Sequence, residues 1–329
     1  MHGAPAADSP RPHAWRVSAG VFVAYLALAI LATYPLVLHA TTHVIGSPVP
    51  PGEATPPLNI WAMATVVHQL PRPLQLFEGT AFYPYHHSLA FSEHLFIPAL
   101  LGAPVYLATG NWVLAYNVVM LLTLATAGLG MFLLSRHLTG DGIASFGAGL
   151  LYAFHTWNIN ELVRSQITAN QWFPFVMLAL LKFFERPGWR RGLLAGLFYG
   201  LQSLSCMYWA LYLPFLVAGT GAYLWWRTRH AWRELVPLGV GLGIALAFTG
   251  LFAIPYVLSA GEFGFERPEP FSVPIDRYFD VLPQNLLSKV DLDAIDQNAR
   301  DAIREAVKFA EASPLPEAEE CLEDVYIYY

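Results

Sequence analysis

Residues 17–38 read VSAGVFVAYLALAILATYPLVL, without a charged side chain. The reading of this run decides the fold. A bilayer core ~30 Å thick needs about 20 apolar residues in a helix. The run is too long for a signal-peptide core, and Leu38-His39-Ala40 is a poor cleavage site. It therefore reads as an uncleaved membrane span. Arg11 and Arg16 precede it, so the positive-inside rule puts residues 1–16, a Pro/Ala-rich stretch expected to be disordered, in the cytoplasm. The chain that follows the run is then outside.

Composition extends that reading to most of the chain. Hydrophobic residues are 55% and charged residues 13% of the sequence, and the mean hydropathy is +0.42. Soluble domains are about one-quarter charged. Trp15, Tyr34, Trp112, Trp172, Trp209, Trp225 and Trp226 stand at the edges of apolar runs, as an interfacial belt requires. Further spans are expected at 95–109, 113–135, 143–157, 171–184, 192–205, 207–226 and 235–259. The fold class is thus an all-α polytopic transmembrane bundle of about 8 spans. Gly196 with Gly200, and Gly239, Gly241 and Gly243, offer the small surfaces that let helices approach.

Charge then constrains topology. Arg186, Arg190 and Arg191 mark one connection as cytoplasmic, and Arg227, Arg229 and Arg233 mark another. Eight crossings from a cytoplasmic start would put both outside. Either 95–109 or 143–157 is expected to be re-entrant, or a crossing is miscounted.

The net charge of −6 is uneven. Residues 288–329 hold 11 acids and 4 bases, a net −7, which leaves +1 for the rest. No basic, aromatic-rich patch calls for nucleic acid. Two cysteines, Cys206 and Cys321, imply neither a disulfide framework nor a thiolate metal site.

Between the first two runs lies a polar loop, 40–94, dense in reactive groups. It carries Glu53, Glu78 and Glu93, and His43, His68, His86, His87 and His94. Pro56-Pro57 can open a short helix over 58–70, with Trp61 suited to the membrane interface. Glu93-His94 stands at the mouth of the second span, where ionisable groups read as functional. Adjacent His86 and His87 are expected to point apart, which disfavours a shared metal. After residue 260 the chain leaves the membrane. A Pro- and aromatic-rich linker, 261–287, precedes an acidic tail, 288–329, with an amphipathic helix over 291–312.

The order of span, Pro57-Leu58-Asn59-Ile60-Trp61, Phe82-Tyr83-Pro84, Ser92-Glu93-His94 and Gln171-Trp172-x-Pro174 resembles bacterial polytopic glycosyltransferases of the GT-C type, over roughly 15–287. The resemblance implies a polyprenyl-phosphate sugar donor and an extracytoplasmic acceptor in the inner membrane. It also implies a carboxylate in the first outer loop. Such proteins often carry Gly-Asp-Pro before the Leu-Asn; here Thr55 stands where the aspartate would be, and Glu53 is the nearest carboxylate. The expected catalytic residues are Glu53 and Glu93. His94, Arg164, His86, His87 and Asn59 are the expected substrate- or phosphate-binding groups. A carboxylate could hold a divalent cation, with no ligand set identified. A non-enzymatic transporter or flippase of lipid-linked sugar is the alternative.

Residues 292–296, 306–314 and 322–326 are similar to the C-terminus of the thiamine-dependent 2-oxo acid dehydrogenase alpha subunit. In that family this segment is an assembly element. Gly140-Asp141-Gly142 and Asn170 copy the spacing of a thiamine diphosphate motif, but an apolar span separates them and no α/β pattern surrounds them. Thiamine diphosphate is therefore not expected. The whole reads as a truncated transferase body of 17–260, joined to a foreign tail without a native partner.

Overall fold

The computed structural model describes residues 14–46, 55–82 and 85–263, and six tail positions between 297 and 308. The described residues are helical, without a strand. In chain order the helices are α1 (Ala14–Ala32), α2 (Thr55–Gln69), α3 (Phe96–Thr109), α4 (Trp112–Thr139), α5 (Gly142–Phe154), α6 (Thr156–Asn160), α7 (Ser165–Thr168), α8 (Phe173–Glu185), α9 (Trp189–Ser203), α10 (Met207–Thr228) and α11 (Val236–Phe263). Each apolar run expected to span holds a helix, with its ends set by local chemistry. Asn111 caps α4 by accepting the Leu114 N–H, and Asp141 caps α5 through Ile143 and Ala144. Gly110 and Gly140 close α3 and α4 at φ 67° and 74°, the left-handed region that glycine enters freely. The first run departs from expectation. Its helix stops at Ala32 ahead of Pro35, and Leu36–Leu38 forms a separate 3-10 turn.

Among the described residues, five segments are long and apolar enough to cross a bilayer: Trp15–Ala32, Trp112–Thr139, Ser165–Glu185, Met207–Thr228 and Trp232–Ala260. The helices α3, α5 and α9, of 14, 13 and 15 residues, fall short of the ~20 residues a bilayer asks of one straight helix.

Side-chain contacts sort the helix ends into two sets. At one end, called here the loop end, Asn111 and Asn117 reach the carbonyls of Thr41, Ala40 and His43. There too, Asn59 of α2 bonds Ser165 and Gln166, and Ile97 N–H bonds the Leu204 carbonyl. At the other end, His137 meets Glu185, Arg191 bonds the carbonyls of Lys182 and Arg186, and His230 bonds the Phe184 carbonyl. Arg136, Arg186, Arg190, Arg191, Arg227, Arg229 and Arg233 all belong to this arginine end. Both ends of α3 lie at the loop end, through Ile97 and Asn111. So α3 does not carry the chain across, and the two arginine-bearing connections fall on one side.

Several helices break inside the bundle, and apolar surroundings force each freed backbone group to find a partner. Gln202 accepts from Trp172 N–H and donates to the Ala169 carbonyl. Asn158 donates to the carbonyls of Tyr152 and Ala153 and accepts from Asn170. These buried amides hold the 155–172 segment and the start of α8. The tightest helix contact is α9 on α11. A Cβ at Gly196 would collide with the Gly241 backbone, and one at Gly192 with Pro237. Gly239 and Gly243, by contrast, face open space.

A second unit spans 266–329. Its described residues Gln297, Arg300, Asp301, Arg304, Glu305 and Lys308 are helical and exposed. Asp301 accepts from Gln297 and Arg304 at helical spacing, in line with the charged face expected of 291–312. The other residues expected in that helix lie outside the described residues, as do 264–287 of the expected 261–287 linker, whose first three residues belong to α11.

Candidate functional site

The loop between the first two long helices folds as a cap on the loop end. In α2, Asn59, Ala62, Met63 and Val66 are buried, packed with Leu89, Leu95, Ala99, Tyr116 and Val119. Trp61 is half-buried against the 79–82 stretch. Its indole N–H bonds Thr80 at 3.3 Å, and its ring fills the space a Cβ at Gly79 would need. Glu78 organises the next stretch. It accepts the His87 N–H at 3.1 Å, and the imidazoles of His87 and His86 lie 3.1 and 3.7 Å from its oxygens. The two histidines were expected to diverge. His87 adopts φ 54°, which turns the chain so that both rings reach one carboxylate. Among the described residues no group of three His, Cys, Asp or Glu is arranged for a metal ion.

Ser92-Glu93-His94 is the buried heart of the cap. Glu93 is 8% exposed. Its carboxylate accepts the Met207 N–H at 2.6 Å, with the Tyr208 N–H and the Cys206 thiol beside it. It thus sits on the N-terminus of α10, where the helix dipole favours negative charge. Burial raises its pKa, and these three donors oppose the rise. Burial also pushes the Cys206 thiol up, reinforced by the Glu93 charge.

His94 is fully buried. Its Nδ1 accepts the Phe96 N–H at 3.1 Å, so the proton is on Nε2. That atom has no partner among the described residues. The ring stands among Phe77, Phe252 and Tyr256, with centroids 6.1, 5.1 and 6.2 Å away. Burial lowers its pKa to about 3, so it is a neutral hydrogen-bond donor rather than a cation. Tyr256 clamps the loop from α11: its hydroxyl donates to the Ser92 carbonyl and accepts the His94 N–H, each at 3.1 Å.

Asn59 is a strut between α2 and α7, its amide bonding Ser165 and Gln166 at 3.0 and 2.7 Å. Arg164, one residue earlier, bonds Glu161 at 3.1 Å and so stands at the loop end. Glu53 lies outside the described residues, as do Tyr83 and Pro84. The thiamine-like motif is a turn: Gly140 and Asp141 join α4 to α5 at the arginine end. Asn170 accompanies Tyr152, ~16 Å of helix away at 1.5 Å per residue.

Sequence reasoning missed Tyr256, Phe252 and Cys206. Each reaches Glu93 or His94 from a distant helix, and only the helix contacts reveal it. It also missed a groove of about 420 Å³ on α9 and α11. Leu193, Leu197, Leu201 and Ile244 line its depth, and Phe96 and Phe252 its top. Phe252 is shared with the wall of His94.

No curated protein and no solved structure matches the chain. A family model does match residues 96–282, from the first residue of α3 past the last of α11 and short of the tail expected to begin at 288. That span covers more than half of the chain, and its description is a 6-pyruvoyl-tetrahydropterin synthase related domain of membrane proteins. A bundle of broken apolar helices, capped at one end by a buried carboxylate and a buried histidine, therefore belongs to the 6-pyruvoyl-tetrahydropterin synthase related family of membrane proteins.

Proposed function

We propose that the protein is a glycosyltransferase of the GT-C type, moving a sugar from a polyprenyl phosphate to a hydroxyl acceptor outside the inner membrane. The orientation follows from the arginines. The positive-inside rule places the arginine end, and with it the N-terminus, in the cytoplasm and the loop end outside. The observation that carries the reading is the junction of two environments. An apolar groove climbs α9 and α11 and ends at Phe252, against His94. A prenyl chain fits the groove, whose Phe252 end lies against the wall of His94.

In the reaction the acceptor oxygen attacks the anomeric carbon and the bond to the lipid phosphate breaks. The lipid phosphate leaves with the electron pair, and a carboxylate takes the acceptor proton. Glu53 is the proposed base. Glu93, the second proposed catalytic carboxylate, fixes the start of α10 through the Met207 N–H. Arg164 supplies positive charge at the loop end for the leaving phosphate. A divalent cation would serve the same end. Among the described residues, charged groups stand in loops and near span ends, whereas a transporter tends to carry them at mid-span.

Glu53→Gln and Glu93→Gln are expected to lower transfer of radiolabelled sugar from polyprenyl phosphate by ~10²-fold or more, the usual scale of a lost acid or base. In the Glu93→Gln variant the side-chain amide carbonyl can still accept the Met207 N–H, so the melting temperature stays near the wild-type value. Full activity in both variants sinks the assignment.

A further inference from the structure

We propose that the arginine end holds an anionic phospholipid, with one acyl chain in a groove between α8, α9, α10 and α11 and its phosphate on the arginines of the α10–α11 turn. The inference does not depend on the transferase reading. This groove, about 440 Å³, is distinct from the one below His94. Pro214, Ala218, Gly221 and Ala222 line it from α10, and Leu238, Leu242 and Leu246 from α11. Trp225 and Leu235 line it where it meets the turn. Small residues on α10 leave a trough that the neighbouring helices do not fill. The groove lies among membrane-crossing helices, so lipid chains are what it meets.

The turn supplies the charge. Arg229 ends α10 in the left-handed conformation, at φ 56°, with its N–H on the Trp225 carbonyl. Arg233 precedes Leu235 by two residues. Both guanidinium groups rest over tryptophans, Arg229 on Trp226 at 5.7 Å and Arg233 on Trp232 at 5.6 Å. Arg227, Arg229 and Arg233 have no ion-pair partner among the described residues. The nearest acid, Glu234, is committed to His230 and the Ala231 N–H. Glu185, across the same end, is committed to His137. His230 and the indole N–H of Trp225 brace the turn through the Phe184 and His230 carbonyls. Arginines stacked on tryptophan above an apolar trough are complementary to a phosphate carrying acyl chains. Basic sites between helices are a recognised mode of anionic headgroup binding.

The test uses the full-length protein in nanodiscs of phosphatidylcholine, with or without phosphatidylglycerol. Bound lipid is counted by native mass spectrometry, and the melting temperature is read in parallel. The expected result is retention of phosphatidylglycerol with a higher melting temperature. Retention should fall roughly tenfold or more in the Arg229→Gln, Arg233→Gln double variant, given the attraction each arginine contributes near a charged surface. Ala222→Trp, which fills the trough and leaves the arginines, should lower retention as well. Arg229→Lys with Arg233→Lys should restore much of it and guards against a folding artefact. Equal retention by wild type and the glutamine variant overturns the proposal. So does a melting-temperature gain reproduced by inorganic phosphate alone, or undiminished retention in Ala222→Trp.

Discussion

His94 shows how far one residue's surroundings redirect its chemistry. In the sequence it is a histidine beside a glutamate, a natural phosphate partner. In the fold it is sealed among Phe77, Phe252 and Tyr256, and burial brings its pKa to about 3. The sign of the linkage follows. The folded value is depressed, so the stabilisation of the neutral ring is complete above the unfolded value near 6.5 and is lost as pH falls toward 3. His94→Phe should flatten the decline in melting temperature between pH 6.5 and 5. A decline as steep as in the wild type would contradict the buried, neutral assignment. The neighbouring Glu93 was legible as a site residue because it marks a span boundary. Its contact with Met207 was not, because no local pattern links residues 114 positions apart.

At the scale of elements, hydrophobic periodicity and length located the runs from α3 to α11, since lipid-facing and core-facing helices are both apolar. Their ends were less legible. The break before α8 is held by Gln202 from α9, and that pairing has no local signature. Glycine spacing was half informative. Gly196 and Gly241 are the α9–α11 contact, while Gly239 and Gly243, equally suggestive in sequence, face open space. Helical rotation decides which glycine meets a neighbour. Gly196→Ala should therefore lower the melting temperature measurably, with a cost of ~1–3 kcal/mol for overpacking. Gly243→Ala should leave it unchanged or slightly higher, because alanine favours the helix. Equal effects from the two substitutions would contradict the packing described.

For the whole molecule, the parity conflict in the sequence resolves in α3. Its two ends share the loop end, so the arginine-bearing connections fall together. Single cysteines at Thr42, Gly110 and Arg190, with Cys206 and Cys321 replaced, should report this with a membrane-impermeant maleimide. The first two should label from outside intact cells and the third only after permeabilisation. Labelling of Thr42 and Arg190 from outside, with Gly110 protected, would restore α3 as a crossing. The body of the fold was legible because a bilayer imposes length and composition on every segment that crosses it. The groove was not, because it is the shape left over when helices from separate parts of the sequence pack.

That groove and the buried loop above it are where we propose that a polyprenyl-phosphate sugar docks, with its chain on α9 and α11 and its phosphate near His94. The most direct measurement is photo-crosslinking of the full-length protein in membranes, with a polyprenyl-phosphate sugar that carries a diazirine in its isoprenoid chain. Label is expected on peptides containing Leu197, Leu201, Ile244 or Phe252, competed away by unlabelled polyprenyl phosphate. Label elsewhere, or label on these peptides that competitor leaves undiminished, would contradict it.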